Sequence, residues 1–189
     1  ELKYPEGERK PHSLITASRL ATEKHCDWIV EAVAKARTKV PDISLDIYGK
    51  GGEETHIRNT IERLHCADCV RLMGQQNLDE VYKGYEAYVA ASQSEGFGLT
   101  LMEAVGSGLP IIGFDVRYGN QTFIDQGKNG YKIKIEDEMD QKRKIELLAE
   151  YIVKMFTEDD MRLFSEHSYG KAKDYMTEEV VKRWIKLLG

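Results

Sequence analysis

"AYVAASQSEGFGLTLMEAVGSGLPIIGFD", residues 87–115, decides how this 189-residue chain folds. An apolar run, AYVAAS (87–92), leads through a glycine-rich turn into a helical pattern over 99–108. A second apolar run, PIIGFD (110–115), follows at once. Short apolar runs bounded by turn residues read as buried strands, and the 3.6-residue period between them reads as a helix. On that helix Leu101, Ala104, Val105 and Gly108 share one face, while Leu99, Met102 and Gly106 widen it. Thr100, Glu103 and Ser107 are left as one narrow polar stripe. A helix this apolar is buried, so its lone carboxylate needs a partner or an opening to water.

The same alternation extends in both directions. SLITAS (13–18), ISLDIYG (43–49), VRLMG (70–74) and GYKIKI (130–135) read as further strands. Helices are predicted near 24–39, with Trp28, Ile29, Ala32, Val33 and Ala36 on one face, near 53–65, and as a short turn of helix at 78–85. Six strands too apolar for a half-wet sheet, alternating with helices, predict an α/β fold. The expected architecture is a Rossmann-like, doubly wound parallel sheet in the order 3-2-1-4-5-6. Beyond 140 the chain is charged and helical. It closes on TEEVVKRWIKLL (177–188), a separate amphipathic helix with Thr177 as N-cap and Val180, Val181, Trp184, Leu187 and Leu188 as its stripe. The charged, proline-broken start reads as a linker remnant (1–12), followed by one domain over 13–176 and the terminal helix over 177–189.

Composition narrows the function. A net charge of −5 gives no electrostatic drive toward nucleic acid or an anionic membrane. No apolar run approaches the roughly 20 residues of a membrane span. Three cysteines, Cys26, Cys66 and Cys69, form no disulfide framework and suit a reduced, cytoplasmic setting. The single Cys66-x-x-Cys69 beside His65 reads as structural rather than as a metal or redox site. His12, His25, His56, His65 and His167 are scattered without pairing, and are assigned to surface and packing. No metal is expected.

Ligands of open α/β sheets bind where the strand order reverses, at the carboxyl ends of strands 1 and 4. The residues leaving those strands are SRLATEK (18–24) and SQSEGFG (92–98), the least generic loops in the chain. Arg19 and Lys24 supply cations, and the guanidinium fork of Arg19 suits phosphate oxygens. The helix opening at Gly98 offers unpaired amides and the positive end of its dipole. Gly96 and Gly98 let backbone approach a ligand closely. Together these describe a diphosphate cradle. A response regulator would need acidic residues after strand 1, where this chain has Ser18-Arg19. Beyond strand 5, Arg117, Tyr118, Asn120 and Gln121 lie near the same rim; contact with donor or acceptor and capping of the next helix explain them equally well. Lys128-Asn129-Gly130 reads as a turn.

Glu95 and Glu103 in EGFGLTLME, with RLATEK and the turns YGKGG and MGQQ, resemble retaining glycosyltransferases of family 4 with the GT-B architecture, over roughly residues 12–188. Within that family the stretch from Glu95 to Ile124 is closest to bacterial enzymes that transfer N-acetylglucosamine from UDP to serine and threonine of serine-rich-repeat adhesins. Teichoic-acid α-glycosyltransferases, and other UDP-sugar enzymes of this architecture, are the alternatives. A non-catalytic nucleotide-binding scaffold is a rival from another class. The resemblance implies that Arg19 and Lys24 hold the diphosphate and that Glu95 approaches the donor sugar with the amides of Gly96, Phe97 and Gly98. Leu99 and Thr100 donate amides to phosphate, Glu103 accepts the ribose hydroxyls, and Ser18 belongs to the same site. Gly49, Lys50 and Gly51 form one wall for the uracil; Met73, Gly74 and Gln75 form the other. The chain then corresponds to the donor-binding half of a two-domain enzyme, with an N-terminal half, a partner subunit and peripheral membrane association of the full complex implied. An apolar stripe on the last helix, without that other half, is expected to pack elsewhere on the chain or to drive self-association.

Overall fold

The computed structural model describes residues 9–94 and 96–188. Six parallel strands, β1 (Ser13–Ala17), β2 (Ser44–Tyr48), β3 (Val70–Gly74), β4 (Ala87–Ala90), β5 (Ile111–Phe114) and β6 (Gly130–Ile133), form one sheet in the order β3-β2-β1-β4-β5-β6. The predicted fold class and strand order are both observed. Chain direction reverses its walk across the sheet between β1 and β4, paired through Leu14 with Ala87 and Ile15 with Tyr88.

Strand alternation explains why both faces are covered. Leu14, Leu45, Ile47, Val89 and Ile112 point into one core with α1 (Cys26–Ala36), α2 (Glu54–Arg63) and α5 (Gln141–Glu158). Their neighbours Ile15, Tyr48, Tyr88, Ala90 and Ile111 point into the other, with α3 (Leu99–Gly106) and α4 (Gly119–Phe123). Successive strand residues face opposite sides, so continuous apolar runs require two cores. Helix α6 (Met161–Ala172) seals the second face: the hydroxyls of Ser165 and Ser168 donate to the carbonyls of Gly108 and Leu109 just beyond α3. Asp140 and Asp160 cap α5 and α6, accepting from the amides of Arg143, and of Arg162 and Leu163.

Two expectations shift. The helix predicted near 24–39 starts at Cys26, because residues 22–24 form a 3-10 turn and His25 takes a left-handed φ of 46°. Its ring stacks on Trp28 with centroids 3.7 Å apart, which fixes the kinked entry. The helix predicted at 78–85 contracts to a 3-10 turn at Tyr82–Gly84; Asn77 Oδ1 accepts from the Asp79 amide and gives the backbone a turn instead.

The final helix, α7 (Thr177–Leu188), forms where predicted, and the side chain of its expected N-cap, Thr177, lies outside the described residues. The expectation that its stripe packs elsewhere on the chain is not met. Trp184 is 59% exposed, Ile185 66% and Leu187 79%. Within this chain the helix touches chiefly the turn at Lys173–Tyr175, which is too small a surface to cover it. Such a stripe in water favours association. Trp184→Ser with Leu187→Ser should therefore shift the chain toward monomer in sedimentation velocity without changing its thermal unfolding; an unchanged distribution of species would count against the stripe as a sticky surface.

Candidate functional site

A crevice of about 370 Å³ opens at the carboxyl ends of β1, β2 and β3, beside the first turn of α3. Ser18 and Arg19 leave β1 into it, Tyr48, Gly49 and Lys50 leave β2, Gln75 and Gln76 leave β3, and Thr100 faces them from α3. It therefore sits at the reversal of strand order, where ligands of such sheets bind.

Local hydrogen bonding extends the sheet into this rim. The Ser18 amide donates to the Tyr48 carbonyl, Leu20 to Lys50, and Gly49 to Gly74, so the exits of three strands run side by side. The close approach requires glycine. At Gly49, φ is 134° and a Cβ would stand 1.8 Å from the Ser18 carbonyl oxygen; at Gly51 it would stand 2.0 Å from that of Leu20. The glycines of the YGKGG turn thus serve packing of the rim, and Gly49 lines the crevice as well.

Tyr88 joins β1 to α3. Its hydroxyl donates to the Ala17 carbonyl at 2.8 Å, accepts from the Ala17 amide, and lies 3.1 Å from Thr100 Oγ1. That contact fixes the first turn of α3 against the exit of β1. Gly98 turns the chain into α3 with φ 80° and ψ 58°, and its carbonyl accepts from the amides of Leu101 and Met102. Among the described residues the amides of Leu99 and Thr100 have no acceptor. They are free donors at the positive end of the helix, suited to an anion.

Arg19 is exposed and its guanidinium pairs with Glu23 at 2.6 Å. A backbone hydrogen bond, assisted by Arg19, holds the Glu23 carboxyl below its ordinary range. Glu103 is exposed on the polar stripe of α3, so that stripe does open to water, and Glu103 accepts from the buried Tyr82 hydroxyl at 3.1 Å. Burial, with Glu103 beside it, pushes the Tyr82 phenol far up, so it stays a donor. His25 Nε2 lies 3.3 Å from Gln93 Nε2, and burial holds the imidazole below its ordinary range.

The structure brings Ser18, Arg19, Gly49, Lys50, Gln75 and Thr100 to one crevice. Lys24, Gly51, Met73, Gly74, Gly96, Phe97, Gly98, Leu99 and Glu103 do not line it, though Leu99 and Glu103 belong to the same helix as Thr100 and Gly98 is its N-cap. Phe97 and Leu99 are exposed, the former edge-on to Phe123. Glu95 lies outside the described residues. The sequence reading missed Tyr48, Gln76 and Leu78 in the lining and Tyr82 and Tyr88 as supports. Asn120, in the first turn of α4, is wholly buried and donates to the Phe114 carbonyl at the end of β5, so it ties α4 to the sheet and neither caps a helix nor faces a ligand. Cys66 and Cys69 are buried and donate to the carbonyls of Ile61 and Cys66; burial raises the Cys66 thiol to about 11.

A model of the glycosyl transferases group 1 family matches residues 3–152. The chain belongs to that family. This group 1 glycosyl transferase is 53% identical, over all of its length, to the UDP-N-acetylglucosamine–peptide N-acetylglucosaminyltransferase GtfA subunit of Streptococcus gordonii, of which it spans 37%. It superposes with a TM-score of 0.93 on the pneumococcal O-GlcNAc transferase GtfA crystallised with UDP and GlcNAc, at 46% identity, covering 98% of this chain and 37% of that one. The poly(glycerol-phosphate) alpha-glucosyltransferase of Bacillus subtilis is more distant, 29% identical over 92% of this chain and 25% of the relative. No helix among the described residues is long and apolar enough to cross a membrane.

Proposed function

We propose that this chain is the donor-binding half of a retaining glycosyltransferase that moves N-acetylglucosamine from UDP to serine or threonine hydroxyls of a serine-rich polypeptide. One observation carries the reading: Arg19 from the exit of β1 and the first turn of α3 converge on a single crevice at the sheet's reversal point. Cations and free amides facing one another make a diphosphate site, and the higher identity to a peptide-modifying relative than to a teichoic-acid one favours a protein acceptor.

In this reading Arg19 and Lys24 hold the diphosphate and neutralise the charge that grows on departing UDP. The amides of Leu99 and Thr100 add to that cradle. Glu103, held from one side by Tyr82, offers its exposed carboxylate to the ribose hydroxyls. Gly49, Lys50 and Gln75 wall the base. Glu95 approaches the donor sugar. The acceptor hydroxyl enters on the face that UDP leaves and passes its proton to the leaving phosphate, which conserves the anomeric configuration. The site calls for no metal, since protein charge does the neutralising. The other half of the enzyme closes the cleft and selects the acceptor, α7 crosses to it, and a partner subunit joins in a cytoplasmic complex at the membrane periphery.

Titration calorimetry with UDP-N-acetylglucosamine, together with a transfer assay, tests this. The 189 residues alone are expected to bind the donor weakly and to give no transfer, while the full-length protein does both. Turnover by the 189 residues alone would overturn the two-half reading, and a full-length protein indifferent to UDP would overturn the donor site.

A further inference from the structure

A second crevice, of about 510 Å³, lies on the other side of the glycine-rich loop, at the carboxyl ends of β4, β5 and β6. That volume is within the roughly 300–1,000 Å³ of small-molecule sites. Its floor carries Lys144, which the phase of α5 turns inward beside Ile145 and Leu148 rather than outward with Lys142 and Arg143 of the same QKRK run. Lys144 is 8% exposed, and its side chain makes no hydrogen bond or ion pair with any described residue. Its stem is buried while the ammonium reaches the crevice, where no described residue accepts from it, so it is available to a ligand.

The walls hold groups of both kinds. Arg117 is a second cation without an ion pair among the described residues, and Asp115, Glu136 and Asp137 are carboxylates that pair with neither cation. Among the described residues the Asp115 carboxylate accepts from the Gln121 amide alone, at 3.1 Å. A simple anion would face three carboxylates, and a simple cation would face Lys144 and Arg117. A ligand whose every group both donates and accepts satisfies both sets at once, and hydroxyls do that. The phenol ring of Tyr118, 68% exposed at the rim, adds an apolar face of the kind a pyranose ring lies against.

We infer that this crevice is a saccharide subsite, separate from the nucleotide crevice, holding a sugar residue already attached to the acceptor. The crevice and its chemistry stand on their own; only the choice of an acceptor-borne N-acetylglucosamine rests on the glycosyltransferase reading. Gln93 and Ser94, which line it, lead directly into the loop that separates the two crevices, so a sugar here would lie beside the site of transfer.

The test is saturation-transfer NMR on the full-length protein with methyl N-acetyl-α-glucosaminide as probe. The nucleotide crevice is filled first with a non-hydrolysable phosphonate analogue of UDP-N-acetylglucosamine. Saturation transfer to the probe should persist. It should weaken roughly tenfold in Lys144→Met, and similarly in Asp115→Asn, whose exposed position spares the fold, as expected for losing hydrogen bonds to charged groups. Affinity for the analogue should not change in either variant. Loss of the probe signal when the analogue binds would place the sugar in the donor site and overturn the inference, as would a signal absent from the start or indifferent to both substitutions. A Lys144-dependent probe signal in a protein that fails to bind the analogue would uphold this subsite while removing the donor reading.

Discussion

Arg19→Ala should weaken UDP binding by roughly tenfold to a hundredfold, the scale of losing a charge-assisted hydrogen bond of about 1.5–3 kcal/mol, and should leave thermal stability almost unchanged. The separation of the two effects follows from where Arg19 sits. Its side chain is 73% exposed, and its ion pair with Glu23 spans only four residues. Exposed pairs of that kind contribute little to stability. The guanidinium therefore has little to do with holding the fold, yet it lines the crevice that also receives Thr100. Glu23→Gln sharpens the experiment. Releasing Arg19 from its carboxylate should leave UDP affinity equal or improve it, because the cation no longer divides its hydrogen bonds between Glu23 and phosphate. Calorimetry on the three proteins decides the matter: an Arg19→Ala variant that binds UDP as the wild type does would remove the cation from the donor site.

Sheet order was legible because six apolar runs alternate with helical periods, and each run supplies residues to two faces. Leu14 and Ile15, adjacent in sequence, enter opposite cores. The position of the site was legible for the same reason, since the reversal point follows from strand order and needs no knowledge of side-chain contacts. What escaped were hydroxyls. Tyr48, Tyr82 and Tyr88 fall inside runs where only the pattern of the elements is legible; their rings are buried, but the Tyr88 hydroxyl meets its partner Ala17 across 71 residues. No periodicity announces such a bond. Lys144 escaped differently. It stands four residues before Leu148 and eight before Ile152, both wholly buried, so the helical period already placed it on the inner face. Its membership of a charged run concealed that. The start of α1 falls later than the period suggests because His25 adopts a left-handed φ, uncommon for any residue with a side chain, and stacks there on Trp28.

Gly49→Ala should destabilise the protein by about 3 kcal/mol or more, the range of backbone strain combined with a contact that cannot relax. A Cβ at this position would lie 1.8 Å from the Ser18 carbonyl oxygen, and the backbone φ of 134° is itself unfavourable for a side chain. Neither partner can withdraw. The Ser18 amide is tied to the Tyr48 carbonyl at 3.1 Å, and the Gly49 amide to the Gly74 carbonyl at 2.8 Å, so moving one strand exit drags the other two. Gly52→Ala is the matched control three residues on, where a Cβ would meet nothing within 4 Å and φ is not positive. There the change should be neutral, or stabilise by about 0.4–1 kcal/mol through the lost freedom of the unfolded chain. Urea unfolding of both variants measures the contrast directly, as a fall in midpoint at Gly49 without one at Gly52. Because the three exits that Gly49 locks together also wall the crevice, whatever Gly49→Ala protein remains folded should bind UDP more weakly than the Gly52→Ala control. Equal midpoints in the two variants would mean that the exits of β1 and β2 do not approach as closely as this rim requires, and the crevice would lose its shape with them.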